Sequence, residues 1–326
     1  MGNSMEPATN PKLFLPEYKH IVEAKDRISR FIKHTPILSS ENINKIAEAE
    51  LFFKCENFQK VGAFKFRGAT NAILQLSDEQ KKNGVATHSS GNHAAALALA
   101  ARMAGCKAYV VMPENAPKVK IEAVKSYGAE ITFCEPTLQA REQTLKEIVE
   151  RTGATFIHPY NNPMIIAGQG TACIELLEEV NDLEIVMAPV GGGGLLSGTA
   201  LAGKGINSGI KVFGAEPELA NDAYQSFTKK ELMPALKPNT IADGLLTSLG
   251  TLTYQIILSN VDRIVLAGET EIVSAMRLIW ERMKIIVEPS SAVPLAAILQ
   301  NKAIFKGKKV GIIISGGNVD LSNLPF

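Results

Sequence analysis

The chain has 326 residues, 46% of them hydrophobic and 21% charged, with a net charge of +1. That balance describes a folded protein with a large core, in about two domains or one large α/β unit, and argues against a nucleic-acid partner, which needs a clustered basic face that the sequence does not show. Four widely spaced cysteines, Cys55, Cys106, Cys134 and Cys173, form neither a metal motif nor a disulfide framework and read as buried, reduced thiols of a cytoplasmic protein.

The first dozen residues, MGNSMEPATNPK, read as a polar tail without the apolar core of a signal peptide. Gly2 with Ser4 falls short of an acylation signal because Glu6 stands where a Ser or Thr belongs, and no apolar run is long enough to span a membrane. From Leu51 onward, β-rich runs alternate with helical stretches, the pattern of a parallel sheet wrapped by helices. The predicted strands are LFFKCE, GVATHSS, KAYVVMP, AEITFCE, ATFIHP, EIVMAPV, KVFGAEP, RIVLAG and KVGIIIS. Helices between them include NHAAALALAARMAG, KVKIEAVKSYG, LQAREQTLKEIVERTG and TEIVSAMRLIWERMK. So many strands exceed one ordinary sheet. Four regular strand–helix units between about Asn83 and Asn161 read as a small open sheet, and the glycine-rich segment after Val190 begins a second series. The expected fold is α/β and two-lobed, each lobe an open, mostly parallel sheet flanked by helices. Ligands in such folds bind beyond the carboxyl ends of the strands.

Four stretches in chain order carry candidate chemistry. In NFQKVGAFKFRGATNA, Lys65 sits between Phe64 and Phe66. A lysine held beside apolar groups loses part of its preference for the charged form and can attack a carbonyl; the plainer reading is a surface lysine whose stem packs on Phe64. In THSSGNHAAALALAA a strand ends in Ser89, Ser90, Gly91, Asn92 and His93 before a helix begins. Hydroxyls, an amide and free helix N–H groups suit a carboxylate, and a simple N-cap accounts for only one of these polar residues. In APVGGGGLLSGTA an apolar strand runs into Gly191, Gly192, Gly193 and Gly194 and then a helix. Successive N–H groups and a helix N-terminus make an anion site, phosphate above all, although neither the Walker spacing nor GxGxxG is present. In VGIIISGGNVD a fully apolar strand delivers Ser315, Gly316, Gly317 and Asn318 to its end, where a tight turn is the alternative. A phosphorylated aldehyde cofactor that forms a Schiff base with lysine and binds amino acids unites these stretches.

With that combination the sequence resembles the fold type II pyridoxal-phosphate enzymes, in the serine racemase and serine/threonine dehydratase branch, near the 3-hydroxyaspartate dehydratases. The motifs that carry the resemblance run from HTPIL at 34–38 through KCENFQKVGAFKFRGA, SSGNH, IAGQGT, GGGGLLSG, AEP, TIADG and ERMKIIVEPSSA to SGGNVD at 315–320. The resemblance implies pyridoxal 5'-phosphate bound by Lys65 as the Schiff-base lysine, with Phe64 on the cofactor ring and Asn92 on the ring hydroxyl. It puts Gly191, Gly192, Gly193 and Gly194 on the phosphate and Ser315 on the ring nitrogen. Lys65 and Ser90 become acid and base on opposite faces of the substrate. Ser89, Ser90, Gly91, Asn92 and His93 grip its carboxylate, with Gly244 of TIADG close by. AEPELAND becomes a cation loop for Mg²⁺, or Ca²⁺ or Mn²⁺, through Glu216, the Ala220 carbonyl and Asp222; read without the resemblance it is a strand end with a helix cap at Asn221 or Asp222.

The implied partners are a small amino acid and a second copy of the chain, in a cytoplasmic homodimer without membrane or nucleic acid. The implied lobes are a large cofactor domain of residues 1–82 and 162–326 and a small mobile domain of residues 83–161. The implied reactions are racemisation of serine and elimination to a 2-oxo acid and ammonia. A neutral Ser315 at the ring nitrogen favours prompt elimination, which is expected to compete strongly with racemisation. Ala63 and Tyr160 replace the serine and asparagine of animal racemases, a pattern closer to fungal, plant and hydroxyaspartate-dehydratase members. Arg141 is a candidate for a second substrate carboxylate, which would favour 3-hydroxyaspartate; a solvated helix arginine paired with a glutamate is the alternative. The chain stops six residues beyond Asp320, so no C-terminal effector domain is expected, and activation by ATP stays open because no separate nucleotide motif is legible. A β-replacement enzyme would carry a Thr-Ser-Gly-Asn-Thr type of loop in place of SSGNH, and a non-catalytic binding protein would have no need of Lys65.

Overall fold

Strand-forming runs, most of them apolar, build two sheets, one of 6 strands and one of 4. The structure, a computed structural model, describes residues 14–116 and 118–326, so the tail expected over the first dozen residues lies outside it. Its strands are β1 (Ile37–Leu38), β2 (Glu50–Cys55), β3 (Val85–His88), β4 (Ala108–Pro113), β5 (Glu130–Cys134), β6 (Thr155–Phe156), β7 (Ile185–Pro189), β8 (Lys211–Pro217), β9 (Arg263–Ala267) and β10 (Lys309–Ile314). The predicted strands are all present. The additional one, β1 within HTPIL, pairs antiparallel with β2 through Ile37 opposite Lys54, and at 2 residues it is too short to show a period of two.

The larger sheet runs β1-β2-β10-β7-β8-β9 and is parallel apart from β1; the smaller runs β5-β4-β3-β6 and is parallel throughout. β10 reads as a continuous apolar run because helices cover both faces of its sheet: Ile312 and Ile314 pack with the helix Pro289–Gln300, Ile313 with the helices Pro163–Glu179 and Gly194–Ile206. Each of these isoleucines is fully buried, worth about 1.5–3 kcal/mol of apolar transfer. The helix Asn92–Met103 is rich in alanine where it buries against its neighbours, so it packs close to the helix Lys65–Leu74.

That last helix is pinned by charge as well. Arg67 is fully buried and donates in bidentate fashion to Glu56 (Nε 2.7 Å, Nη2 2.8 Å) and to Glu175 (Nη1 2.6 Å, Nη2 2.8 Å), with Thr171 taking a further N–H at 3.2 Å. Buried Lys54 on β2 balances the second carboxylate at 2.7 Å from Glu175 and donates to the Thr35 carbonyl. The cluster pairs two cations with two anions, which makes its burial tolerable, and it locks the first turn of the Lys65 helix to β2 and to helix Pro163–Glu179. All four cysteines are free and buried. No helix among the described residues is long and apolar enough to cross a membrane.

Candidate active site

Lys65 opens its helix at the carboxyl ends of the strands, beside β10: Phe64 N donates to Ser315 O at 3.0 Å, and Ala63 bridges Gly316. The half-buried ammonium group donates to Pro159 O at 2.9 Å and lies 5.1 Å from the Phe64 ring centre. Burial pushes the amine down to about 8, and the Glu288 carboxylate opposes that fall. The lysine is not held between two phenylalanines as the sequence pattern implied. Consecutive helix positions diverge by about 100°, and Phe66 turns into a separate core cluster with Ala69, Ile73 and Leu97. It carries the Lys60 ammonium 5.6 Å from its ring, and Lys60 is half-buried.

Beyond β3 the chain turns through Ser89, Ser90 and Gly91 into helix Asn92–Met103. Ser89 Oγ accepts from Gly91 N at 3.3 Å, and half-buried Ser90 makes no side-chain hydrogen bond among the described residues. Asn92 Nδ2 donates to both oxygens of Glu288, at 2.9 and 3.2 Å, and Asn92 Oδ1 accepts from Asn318 Nδ2 at 2.9 Å. His93 is buried with Nε2 on Ile157 O at 3.2 Å, which leaves Nδ1 without a partner among the described residues. Burial pushes His88 down to about 4, His158 to about 3 and His93 well below the usual range, and the Lys65 charge adds to the fall at His93 and His158, which stand neutral beside the lysine. The tautomer of His158 is set by Tyr160 N and Asn161 N, which both donate to its Nδ1.

Beyond β7 lies the buried loop Gly191–Gly194, with Gly193 at φ 85° capping helix Gly194–Ile206. A Cβ on Gly192 would stand 2.3 Å from the Tyr160 ring, and among the described residues no acceptor meets the N–H groups of Gly191, Gly192 or Gly193. A buried row of unpaired donors ahead of a helix N-terminus is a seat for an anion. Gly244 adjoins it, its carbonyl 3.2 Å from a Cβ placed on Gly191, and its N–H donates to Ser290 Oγ. Ser315 is buried with Oγ 2.9 Å from Ser291 Oγ, which also bonds the Gly316 main chain.

These groups come together at one cleft; Glu216, Ala220 and Asp222 do not. They sit behind the glycine loop, where Asp222 Oδ2 accepts from Leu249 N at 3.3 Å and the Leu249 side chain packs toward Gly193. Glu216 accepts from Ala223 N at 2.8 Å and Tyr224 N at 2.7 Å. Burial, with the Asp222 charge beside it, holds Glu216 well above the usual carboxylate range, and burial pushes Asp222 up to about 6. Neither forms an ion pair with a lysine or arginine among the described residues. Arg141 lies on helix Leu138–Thr152, where its Nε donates to Thr137 O at 3.3 Å and its charge acts on His88 at the end of β3. No carboxylate pairs with it among the described residues.

Two contributors escaped the sequence reading. Glu288 and Ser291 both lie in ERMKIIVEPSSA, where a lone glutamate closing an apolar run just before a proline was the available signal. Glu288 is 5% exposed and is pushed up to about 7 by burial and then by Asp243.

The donor set fits pyridoxal phosphate: a depressed lysine amine for the aldehyde, an N–H-lined glycine loop for the phosphate, and an amide and a hydroxyl for the ring. A family model described as "Pyridoxal-phosphate dependent enzyme" matches residues 28–316. The chain is 53% identical to a serine racemase of Dictyostelium discoideum, over 98% of each chain. It is 50% identical to a beta-hydroxyaspartate dehydratase of Paracoccus denitrificans, over 96% of this chain and 100% of that one. A solved pyridoxal 5'-phosphate-dependent aspartate racemase superimposes with a TM-score of 0.91 at 39% identity, covering 97% of this chain and 99% of the other. Glycine loop, depressed lysine and full-length similarity agree, and the chain belongs to the pyridoxal-phosphate dependent enzymes.

Proposed function

We propose that this protein racemises and dehydrates serine or a related 3-hydroxy amino acid. The observation that carries the reading is Lys65: an amine pushed down to about 8, with neutral His93 and His158 beside it, bonded to Pro159 O next to the Tyr160 that covers the loop of unpaired N–H groups. Pyridoxal phosphate, when bound, supplies the electron sink that acidifies the substrate Cα–H. Gly191, Gly192, Gly193 and Gly194 would hold the phosphate, Phe64 would pack on the ring, Asn92 would donate to its hydroxyl and Ser315 would serve its nitrogen. Ser89, Ser90, Gly91, Asn92 and His93, with the N-terminus of their helix, hold the substrate carboxylate against Gly244. Lys65 as the neutral amine takes the α-proton on one face. Ser90, with no other hydrogen bond, returns a proton on the opposite face to give the enantiomer. His88, His93 and His158 stay neutral and exclude competing acids.

A second reading, 3-hydroxyaspartate ammonia-lyase, is favoured by Arg141, which lacks a carboxylate partner among the described residues and acts on His88 beside the substrate loop. Glu216, the Ala220 carbonyl and Asp222 are proposed to bind Mg²⁺, Ca²⁺ or Mn²⁺; paired buried carboxylates without a basic partner suit a hard cation. The smaller sheet has core clusters of its own, which supports residues 83–161 as the mobile domain against residues 1–82 and 162–326. Buried free thiols suit the reducing cytoplasm. A homodimer and activation by ATP complete the proposal, read by light scattering and by turnover with and without ATP.

The test is turnover of L-serine and L-threo-3-hydroxyaspartate, with the opposite enantiomer and the 2-oxo acid assayed separately. Lys65→Ala should abolish both products, whereas Ser90→Ala should remove racemisation and spare elimination of the L-substrate. Arg141→Ala should cost more on hydroxyaspartate than on serine; equal losses remove the second reading. Full activity in Lys65→Ala overturns the whole assignment.

A further inference from the structure

Glu288 is a buried carboxylate that the reactions above leave unused. It caps helix Pro289–Gln300, and its backbone N donates to Gly316 O at 3.1 Å, so it rests on the loop beyond β10. Its side chain leaves that loop, passes Gly316 where a Cβ would be 2.8 Å from Oε1, and meets Asn92 on the smaller sheet's side of the cleft. The charged groups facing it are Lys65, Lys120 on helix Lys118–Ser126 and Asp243, and none forms an ion pair with it among the described residues.

The carboxylate touches the backbone N–H of Asn318 and the side-chain amide of Asn92, and an amide has two nearly isosteric orientations. Two neighbours settle which one this is. Both Glu288 oxygens lie within hydrogen-bond reach of Asn92 Nδ2, at 2.9 and 3.2 Å, so the Asn92 NH₂ group is the side turned toward Glu288. On the other side Asn318 Nδ2 donates at once to the Val61 carbonyl (2.7 Å) and to Asn92 Oδ1 (2.9 Å), and the Val61 carbonyl holds the Asn318 amide with its NH₂ group toward Asn92. The Asn92 NH₂ group keeps a hydrogen for the cleft, while its oxygen is turned away.

We propose that Glu288 is a positioning residue: its carboxylate fixes the orientation of the Asn92 amide, so that the cleft beside Lys65 is offered an N–H and not a carbonyl oxygen. The inference rests on the reading of Asn92 as the group facing the cofactor's ring hydroxyl. In Glu288→Gln one of the two acceptors becomes a donor set against Asn92 Nδ2, and the amide is driven to flip or tilt. The cofactor then meets an oxygen where it had a donor, and a polar group in a buried site is left unpaired.

The test compares wild type, Glu288→Gln and the double variant Glu288→Gln with Asn92→Asp as full-length holoenzymes. Cofactor affinity by equilibrium dialysis, the visible absorption maximum and thermal unfolding are measured on each. Glu288→Gln should bind cofactor about tenfold more weakly and shift the absorption maximum. The double variant should recover the wild-type unfolding temperature, because a carboxylate at position 92 accepts both from the new amide at position 288 and from Asn318, yet should not recover affinity or spectrum. The proposal is overturned if Glu288→Gln keeps affinity within about twofold and an unchanged spectrum, or if its only effect is on unfolding temperature. Failure of the broader reading looks different, as wild type itself would then hold no visible chromophore and Lys65→Ala would change nothing.

Discussion

On the proposed function, with Lys65 as the cofactor lysine, its depressed pKa should set the pH at which the protein captures pyridoxal phosphate. An ordinary lysine at pH 8 is about 0.3% neutral, whereas an amine pushed down to about 8 is roughly half neutral at the same pH. Since only the neutral amine attacks an aldehyde, the gain over a solvent-exposed lysine is on the order of a hundredfold. The cause is burial, opposed by Glu288, so the sign of a second perturbation follows: Glu288→Gln removes the charge that helps hold the proton, and the midpoint must fall below that of wild type. The assay strips the cofactor, adds it back across a pH range spanning that midpoint, and follows the rise of visible absorbance against N-acetyl-lysine as reference amine. A rate half-maximal near pH 8, with an earlier midpoint in Glu288→Gln, is expected. A midpoint near that of the reference amine, or one that rises in the variant, refutes the assignment of burial as the cause.

The glycine loop predicts a steric failure at Gly192→Ala: a methyl 2.3 Å from the Tyr160 ring must displace it, costing about 1–3 kcal/mol in denaturant unfolding. Tyr160→Ala in the same chain should return most of that loss, and a tolerated single variant would show that the loop yields instead. Arg67→Met leaves Glu56 and Glu175 buried against a single remaining cation, so unfolding should show a loss of about 3–5 kcal/mol; less than about 1 kcal/mol would mean the cluster is wet. Chelation with EDTA should lower the unfolding temperature and added Mg²⁺ should restore it, with Asp222→Asn losing the response. An unfolding temperature indifferent to EDTA in wild type would remove the cation from the proposal.

The fold was legible because parallel strands covered on both faces are written as apolar runs, KVGIII above all, with helical periods between them. β1 stayed hidden, since a strand of 2 residues carries no periodicity and exists only by pairing with β2. Much of the candidate site was legible for a local reason. An N–H-lined glycine loop, a hydroxyl-rich strand end and a lysine opening its helix are each specified by adjacent residues, and the topology rule alone sends strand ends to one cleft.

Roles that depend on distant residues were not legible. Nothing in FKF says that Phe64 stays with Lys65 while Phe66 leaves for another core under Lys60, because that is set by helix phase and by what packs there. Nor does KFRGA announce that Arg67 answers Glu56 and Glu175, 11 and 108 positions away. The amino-acid sequence by itself determined strands β2 to β10, the glycine loop ahead of its helix and the lysine at the start of its own. Only the tertiary structure decided that the lysine is desolvated, that Glu288 meets the Asn92 amide across 196 positions of sequence, and that Glu216 and Asp222 share a buried space. Hydrogen bonding along a loop is local, whereas pKa and amide orientation are set by whichever charges and dipoles folding brings through space.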